Sequence, residues 1–308
     1  MSSSPPSSSP PRSGPTSASL TSTGVVDPLR EIERVHRQHR LRVDAPCADG
    51  AMPFRLWGEG PALVLLHGGS GSWTHWIRNI EALAERYRVI VPDLPGLGDA
   101  ATVPPPYTPD SSAAILNAAL DHVLARNEPL HLAAFSWGCT QAARIAGWRA
   151  AQVRSLFLVG PASLGDGYAR PTMQPLKRRA RGMSTAEMDE IARHNLRQLM
   201  IHDDARIDAL AVHLQHTNTS RARMESPQFA RGTWVLDALR DTRCPLKVLY
   251  GEYDAPAYPD IEARRQRLRE ARPDLEFELV PRVGHWTQYE WPGFDSCLLA
   301  WLTRHDRR

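Results

Sequence analysis

Five short runs decide what this chain can fold into: 62–66 (ALVLL), 88–94 (RVIVPDL), 130–135 (LHLAAF), 153–160 (VRSLFLVG) and 245–251 (PLKVLYG). Each is apolar at nearly every position. A strand with one wet face alternates, whereas a strand covered on both faces reads as a continuous apolar run. Between them lie helical patterns, such as Trp76, Ile77, Ile80, Leu83 and Ala84, and 111–126 with Ile115, Leu116, Leu120, Val123 and Leu124 on one face. Ala142, Ile145 and Ala146 mark another helix after 130–135. Strands alternating with helices predict a mostly parallel sheet with helices on both sides. Strand-like segments at 41–44, 52–58 and 275–283 bring the expected count to eight, the first two antiparallel. Further helices are expected at 27–40, at 260–271 and over Phe294, Cys297, Leu298 and Trp301.

The alternation stops at Gly160 and resumes at Pro245. The intervening residues read as helices and loops. Ser184-Thr185-Ala186-Glu187 is a capping box, in which serine and glutamate satisfy each other's backbone N–H groups. Behind it Met188, Ile191, Leu196 and Leu199 share a helical face, and 207–216 and 229–240 read as shorter helices. The expected organisation is therefore a Ser/Pro-rich tail (1–24), a core made of 25–161 and 243–308, and an inserted helical cap (162–242).

Composition narrows the function. With 37 basic and 34 acidic residues the net charge is +3, without the concentrated basic face that nucleic acid requires. The runs Lys177–Arg181 and Arg304–Arg308 read as solvated faces. No apolar stretch reaches the ~18 residues of a membrane span. Cys47, Cys139, Cys244 and Cys297 match no metal-ligand spacing. Cys139 and Cys244 read as buried free thiols, which suit a reducing compartment, so a cytoplasmic location is expected. The first 24 residues hold ten Ser and five Pro and lack the apolar core of a secretory signal, so disorder is expected there. Homo-oligomerisation stays open.

The chemistry converges on one end of the expected sheet. Run 130–135 leads straight into Ser136, and a helix follows. A serine on so sharp a strand-to-helix turn needs small residues two before and two after it, and Ala134 and Gly138 meet that need. A serine hydroxyl is a weak nucleophile without an adjacent base. Of the twelve histidines, His285 alone follows a strand (275–283) through a glycine, Gly284, at the sheet's carboxyl end, where ligands of such sheets gather. Asp254, just past 245–251, is placed to accept the Nδ1 proton of His285 and fix its tautomer. Glu252 and Asp166 are the competing acids. An alkoxide formed on a carbonyl needs backbone N–H donors. Trp137 supplies one, and the glycine-rich turn His67–Trp73 the other, with Gly69 first and Ser70 second; His67 is expected to brace that turn. The same turn lacks the Lys-Ser/Thr ending of a phosphate loop. Ser70, Trp286 and His213 are the candidate substrate contacts. His216, Asn218 and Lys177–Arg181 are candidate anchors for an acidic group.

HGGSGSW at 67–73, DLPGLG at 93–98, AFSWG at 134–138, GEYD at 251–254 and GHWTQYE at 284–290 together resemble the α/β-hydrolase superfamily. The resemblance spans about residues 41–304. It implies an α/β-hydrolase fold with a variable cap and a serine–acid–histidine triad of Ser136, Asp254 and His285. GHWTQYE and the capped layout are similar to meta-cleavage-product hydrolases, which cleave a carbon–carbon bond in vinylogous diketo acids. Those enzymes use a cap arginine near the place held here by His213, and Ser-Met-Gly-Gly where this chain has Ser136-Trp137-Gly138-Cys139. Haloalkane dehalogenases and epoxide hydrolases carry aspartate at the elbow, which Ser136 argues against. The expected activity is hydrolysis of an ester or related acyl derivative of a small, partly apolar molecule. The alternatives are C–C hydrolysis of a 2-hydroxy-6-oxo-dienoate-like acid and non-catalytic binding of a small molecule. Acyl transfer calls for neither cofactor nor metal.

Overall fold

The structure, a computed structural model, describes residues 1, 27–165, 173–257 and 260–306. Nearly all of the expected tail, together with Asp166, lies outside them.

Eight strands form one sheet in the order β1-β2-β4-β3-β5-β6-β7-β8. They are β1 (Leu41–Cys47), β2 (Gly50–Trp57), β3 (Ala62–Leu66), β4 (Arg88–Pro92), β5 (Leu130–Phe135), β6 (Val153–Val159), β7 (Leu246–Gly251) and β8 (Glu276–Val280). β1 and β2 form an antiparallel hairpin, and β2 pairs antiparallel with β4. Every other neighbouring pair is parallel.

The central strands are buried on both faces, as their uninterrupted apolar runs require. Val64, Leu66, Leu132, Ala134 and Leu158 point to one side. There they meet helices α3 (Pro109–Leu120), α4 (Gly138–Trp148), α7 (Trp234–Asp241) and α8 (Ile261–Ala271). Leu63, Leu65, Ala133, Phe135 and Val159 point to the other side. That side is covered by α1 (Pro28–Arg37), α2 (Ile80–Ala84) and α10 (Phe294–His305). The layers thus follow from the two-residue period of a strand.

Local signals place the helix starts. The Asp27 carboxylate accepts the Leu29 N–H at the start of α1, and Pro28 opens the first turn. Ser184 and Glu187 form the capping box of α5 (Thr185–Leu199). Asp208 caps α6 (Ala209–Arg221), two residues later than expected. α9 (Thr287–Glu290) is a single turn behind the 284–290 motif.

Three elements differ from expectation. The helix expected from 111 to 126 ends at Leu120, where the Val123 and Leu124 amides fold back onto the Leu120 carbonyl. The helix after β3 splits into a 3₁₀ turn, Trp73–Trp76, and α2. Between them the Asn79 side chain turns away to donate to the Gln288 carbonyl and the Asp295 carboxylate. Most consequential, α7 does not belong with α5 and α6. It packs on α4 through Val235, Ala238 and Leu239 and so covers the sheet. No described helix is long and apolar enough to cross a membrane.

Candidate active site

Strand order reverses between β3 and β5, because β3 connects to β4 on one side while β5 connects to β6 on the other. At such a switch point the loops leaving two adjacent strands part, and a crevice opens at their carboxyl ends. Leu66 and Ala134 are register partners, so the loops beginning at His67 and Ser136 leave the sheet side by side.

Ser136 sits on the turn from β5 into α4 with φ of 51°, a left-handed conformation for a non-glycine residue. Such strain persists only where the surroundings impose it. Here the Ser136 N–H donates to the Val159 carbonyl at 2.8 Å, and Gly138 packs directly on the backbone of Leu66 and His67. A Cβ at Gly138 would lie 2.6 Å from the His67 carbonyl oxygen, which is why the second residue after the serine must be glycine.

His285 Nδ1 and Asp254 Oδ2 are 2.7 Å apart, with Asp254 fully buried and His285 nearly so. A carboxylate at that distance holds the imidazole proton on Nδ1 and leaves Nε2 free as a base. The His285 ring lies against Phe135, with ring centres 4.8 Å apart, and shares one cavity of about 510 Å³ with Ser136. Of the competing acids, Glu252 is engaged elsewhere and accepts the Arg282 N–H.

Gly69, Ser70 and Trp137 line the same cavity. The Gly69 backbone runs beside Trp137: a Cβ at Gly69 would come within 3.6 Å of the Trp137 Cβ. Among the described residues neither amide donates to a protein acceptor. His67 braces this turn: Nδ1 bonds the Gly68 carbonyl at 2.8 Å, and Nε2 accepts the Leu94 N–H at 2.9 Å. Burial lowers its pKa, in keeping with that neutral, split role.

Two expected substrate contacts lie elsewhere. Trp286 is buried outside the cavity, stacked on Tyr289, with its indole N–H donated to the His75 carbonyl. It supports the wall of the site from behind. His213 faces away along α6 and bonds Thr217, because the inward face of that helix is taken by Gln215 and Thr219. Asn218 is also no free anchor. Its carbonyl oxygen accepts from the Ser72 hydroxyl at 2.8 Å and its amide donates to Thr74, tying α6 to the glycine-rich turn.

Two residues outside the sequence-based set take part in the geometry. His75 lines the cavity, and its Nδ1 accepts the Gly68 N–H at 3.2 Å. Burial, with His67 and His285 close by, holds its pKa well below the usual histidine value, so it is neutral and carries its proton on Nε2. Gly160, at the end of β6, has φ of 53°, and a Cβ there would lie 2.8 Å from Asp254 Oδ2 and 2.9 Å from the His285 ring. The glycine closing run 153–160 was the available signal for it. We expect Gly160→Ala to lower kcat/KM roughly 10- to 100-fold, since displacing reacting groups by about 1 Å costs on that order. Steady-state kinetics on the folded variant checks this; an unchanged kcat/KM would show that the pair tolerates displacement.

Comparison with known proteins agrees with this architecture. Residues 63–294 match the alpha/beta hydrolase family. The chain is 30% identical over 263 residues to the dihydrolipoyllysine-residue acetyltransferase component of an acetoin cleaving system from Pseudomonas putida. That alignment covers 82% of this chain and 66% of that protein. It is 26% identical to a 2-hydroxy-6-oxononadienedioate/2-hydroxy-6-oxononatrienedioate hydrolase from Comamonas testosteroni, over 76% of this chain and 84% of the relative. Its fold is similar to that of naproxen esterase from Bacillus subtilis, with a TM-score of 0.68, 19% identity, and coverage of 89% of this chain and 96% of that one. With its sheet order, its strained serine turn and a family match over most of its length, the chain belongs to the alpha/beta hydrolase family of enzymes.

Proposed function

We propose that the protein is a serine hydrolase acting on a carboxylic ester or related acyl derivative of a small, partly apolar molecule. The observation that carries this reading is the meeting of three things at one cavity. These are Ser136 on its strained turn, a buried Asp254–His285 pair at 2.7 Å, and two unengaged amides, of Gly69 and Trp137. His285 Nε2 takes the Ser136 proton as the oxygen attacks the acyl carbon. The Gly69 and Trp137 N–H groups receive the developing oxyanion. His285 then gives the proton to the leaving alcohol, and an acyl-enzyme remains. Water, deprotonated by the same Nε2, releases the acid and regenerates Ser136. Asp254 stabilises the imidazolium in both halves.

The segment from 162 to about 233 is assigned as a cap that sets substrate choice. In support, α5 and α6 contribute Asn195, Leu199, Gln215 and Thr219 to the cavity wall. A second reading, C–C hydrolysis of a 2-hydroxy-6-oxo-dienoate-like acid, is supported by the similarity to the Comamonas enzyme. The four cysteines carry free thiols, which fits a cytoplasmic protein.

Parallel assays on p-nitrophenyl esters and on 2-hydroxy-6-oxo-dienoates separate the readings. We expect ester turnover with an initial burst of up to one p-nitrophenol per enzyme. Turnover of the dienoates alone would favour the second reading, and inertness towards both would leave a binding protein.

A further inference from the structure

The cavity that holds Ser136 is also lined by Lys177 and Arg178, and among the described residues no aspartate or glutamate lines it. The same two residues line a groove of about 320 Å³, together with Arg179 and His216, and among the described residues it too has no carboxylate in its lining. Two cations, Lys177 and Arg178, therefore stand between two hollows, and Arg179 lines only the groove.

This segment is held, not loose. The Asn195 side chain of α5 accepts the Lys177 N–H and donates to the Lys177 carbonyl, both at 2.9 Å. Gln198 accepts the Gln174 N–H at 2.8 Å, and Arg179 donates to the His216 carbonyl on α6. Two helices thus clamp a short stretch and fix the backbone that carries Lys177 to Arg179. The charges are only lightly compensated. Lys177 lies 3.8 Å from the exposed Glu190, and among the described residues Arg178 makes no ion pair. The remaining wall includes apolar Leu176, Leu199, Pro227 and Ala230.

We propose that the substrate is an amphiphile with an anionic head, its acyl carbon at Ser136, its apolar body on the leucine- and proline-lined wall, and its head on Lys177 and Arg178. The head is a carboxylate or a phosphate, since both answer to guanidinium and ammonium donors. A low-dielectric cavity lined by one sign of charge also concentrates such molecules from solution. This assignment rests on the hydrolase reading for the place of the acyl carbon but not for the anion site itself, and the test has two arms for that reason.

In the kinetic arm, p-nitrophenyl esters of suberic acid (one free carboxylate) and of octanoic acid are compared. The ratio of their kcat/KM values should favour the anion and fall about 10-fold in Lys177→Met/Arg178→Gln, the usual size of a charge-assisted contact. It should hold in Arg30→Gln, which removes an exposed charge remote from the site. In the binding arm, tryptophan fluorescence follows monomethyl and dimethyl suberate on Ser136→Ala, which needs no turnover. The monoanion should bind about 10-fold tighter. The advantage should shrink at high salt, as expected for partly exposed charges, and vanish in the triple variant. Octyl phosphate against octanoate then tells which head is preferred. Equal binding of the two suberate esters, or an anion preference that survives loss of both cations, would overturn the proposal. Loss of ester turnover with the binding preference intact would instead count against the hydrolase reading alone.

Discussion

Replacing Ser136 by alanine should remove turnover by a factor on the order of 10⁶ while the protein stays folded. In the proposed mechanism the serine oxygen forms the bond to substrate, and no neighbouring group is placed to substitute for it. His75 is held neutral by burial and already accepts the Gly68 N–H. The thiol next to the elbow, Cys139, is buried and turned inward to the carbonyls of Ala134 and Val159, and burial raises its pKa far above neutrality. Neither is a replacement nucleophile. The fold should tolerate the change, because alanine removes one oxygen from a cavity wall and relieves no packed contact. Circular dichroism and melting should match the parent within a few degrees. Residual activity above about one part in a thousand would remove Ser136 from the mechanism.

Asp254→Asn should lower kcat about 10⁴-fold. The carboxylate is fully buried, one oxygen is spent on His285, and the other has no side-chain or backbone partner among the described residues. An amide there can donate to Nδ1, which moves the imidazole proton to Nε2. The base then faces Ser136 already protonated. Glu252→Gln is the matching control. Its carboxylate accepts the Arg282 N–H at a turn, so activity should stay within a few-fold. The reverse pattern would place the acid on the wrong residue.

The sheet was readable because burial on both faces leaves few polar positions in a strand. Runs 62–66 and 130–135 carry that signature and match β3 and β5 residue for residue. The meeting of Ser136, Asp254 and His285 was readable for a related reason: parallel strands bring their carboxyl ends to one edge, so order along the chain becomes proximity in space. Side-chain direction was another matter. Trp286 follows His285 directly, yet it points into the core and His285 into the cavity, because their loop is pinned by the Trp286 N–H to the Met200 carbonyl. The Glu290 carboxylate adds to that pinning by accepting the amides of His202, Asp203 and Gly284. Those partners lie far away in the chain, and no local pattern announces them. Asn218 on α6 and α7 on α4 were hidden likewise, since an apolar face says that a helix is covered but not by what.

If His285 and Asp254 activate Ser136 as proposed, a fluorophosphonate should label it, and mass spectrometry of the reacted protein reads this out. A single adduct is expected on the peptide containing Ser136 in the parent protein, with much slower labelling in Asp254→Asn and none in Ser136→Ala. An unlabelled parent protein, or an adduct on another residue that persists in Ser136→Ala, would contradict it.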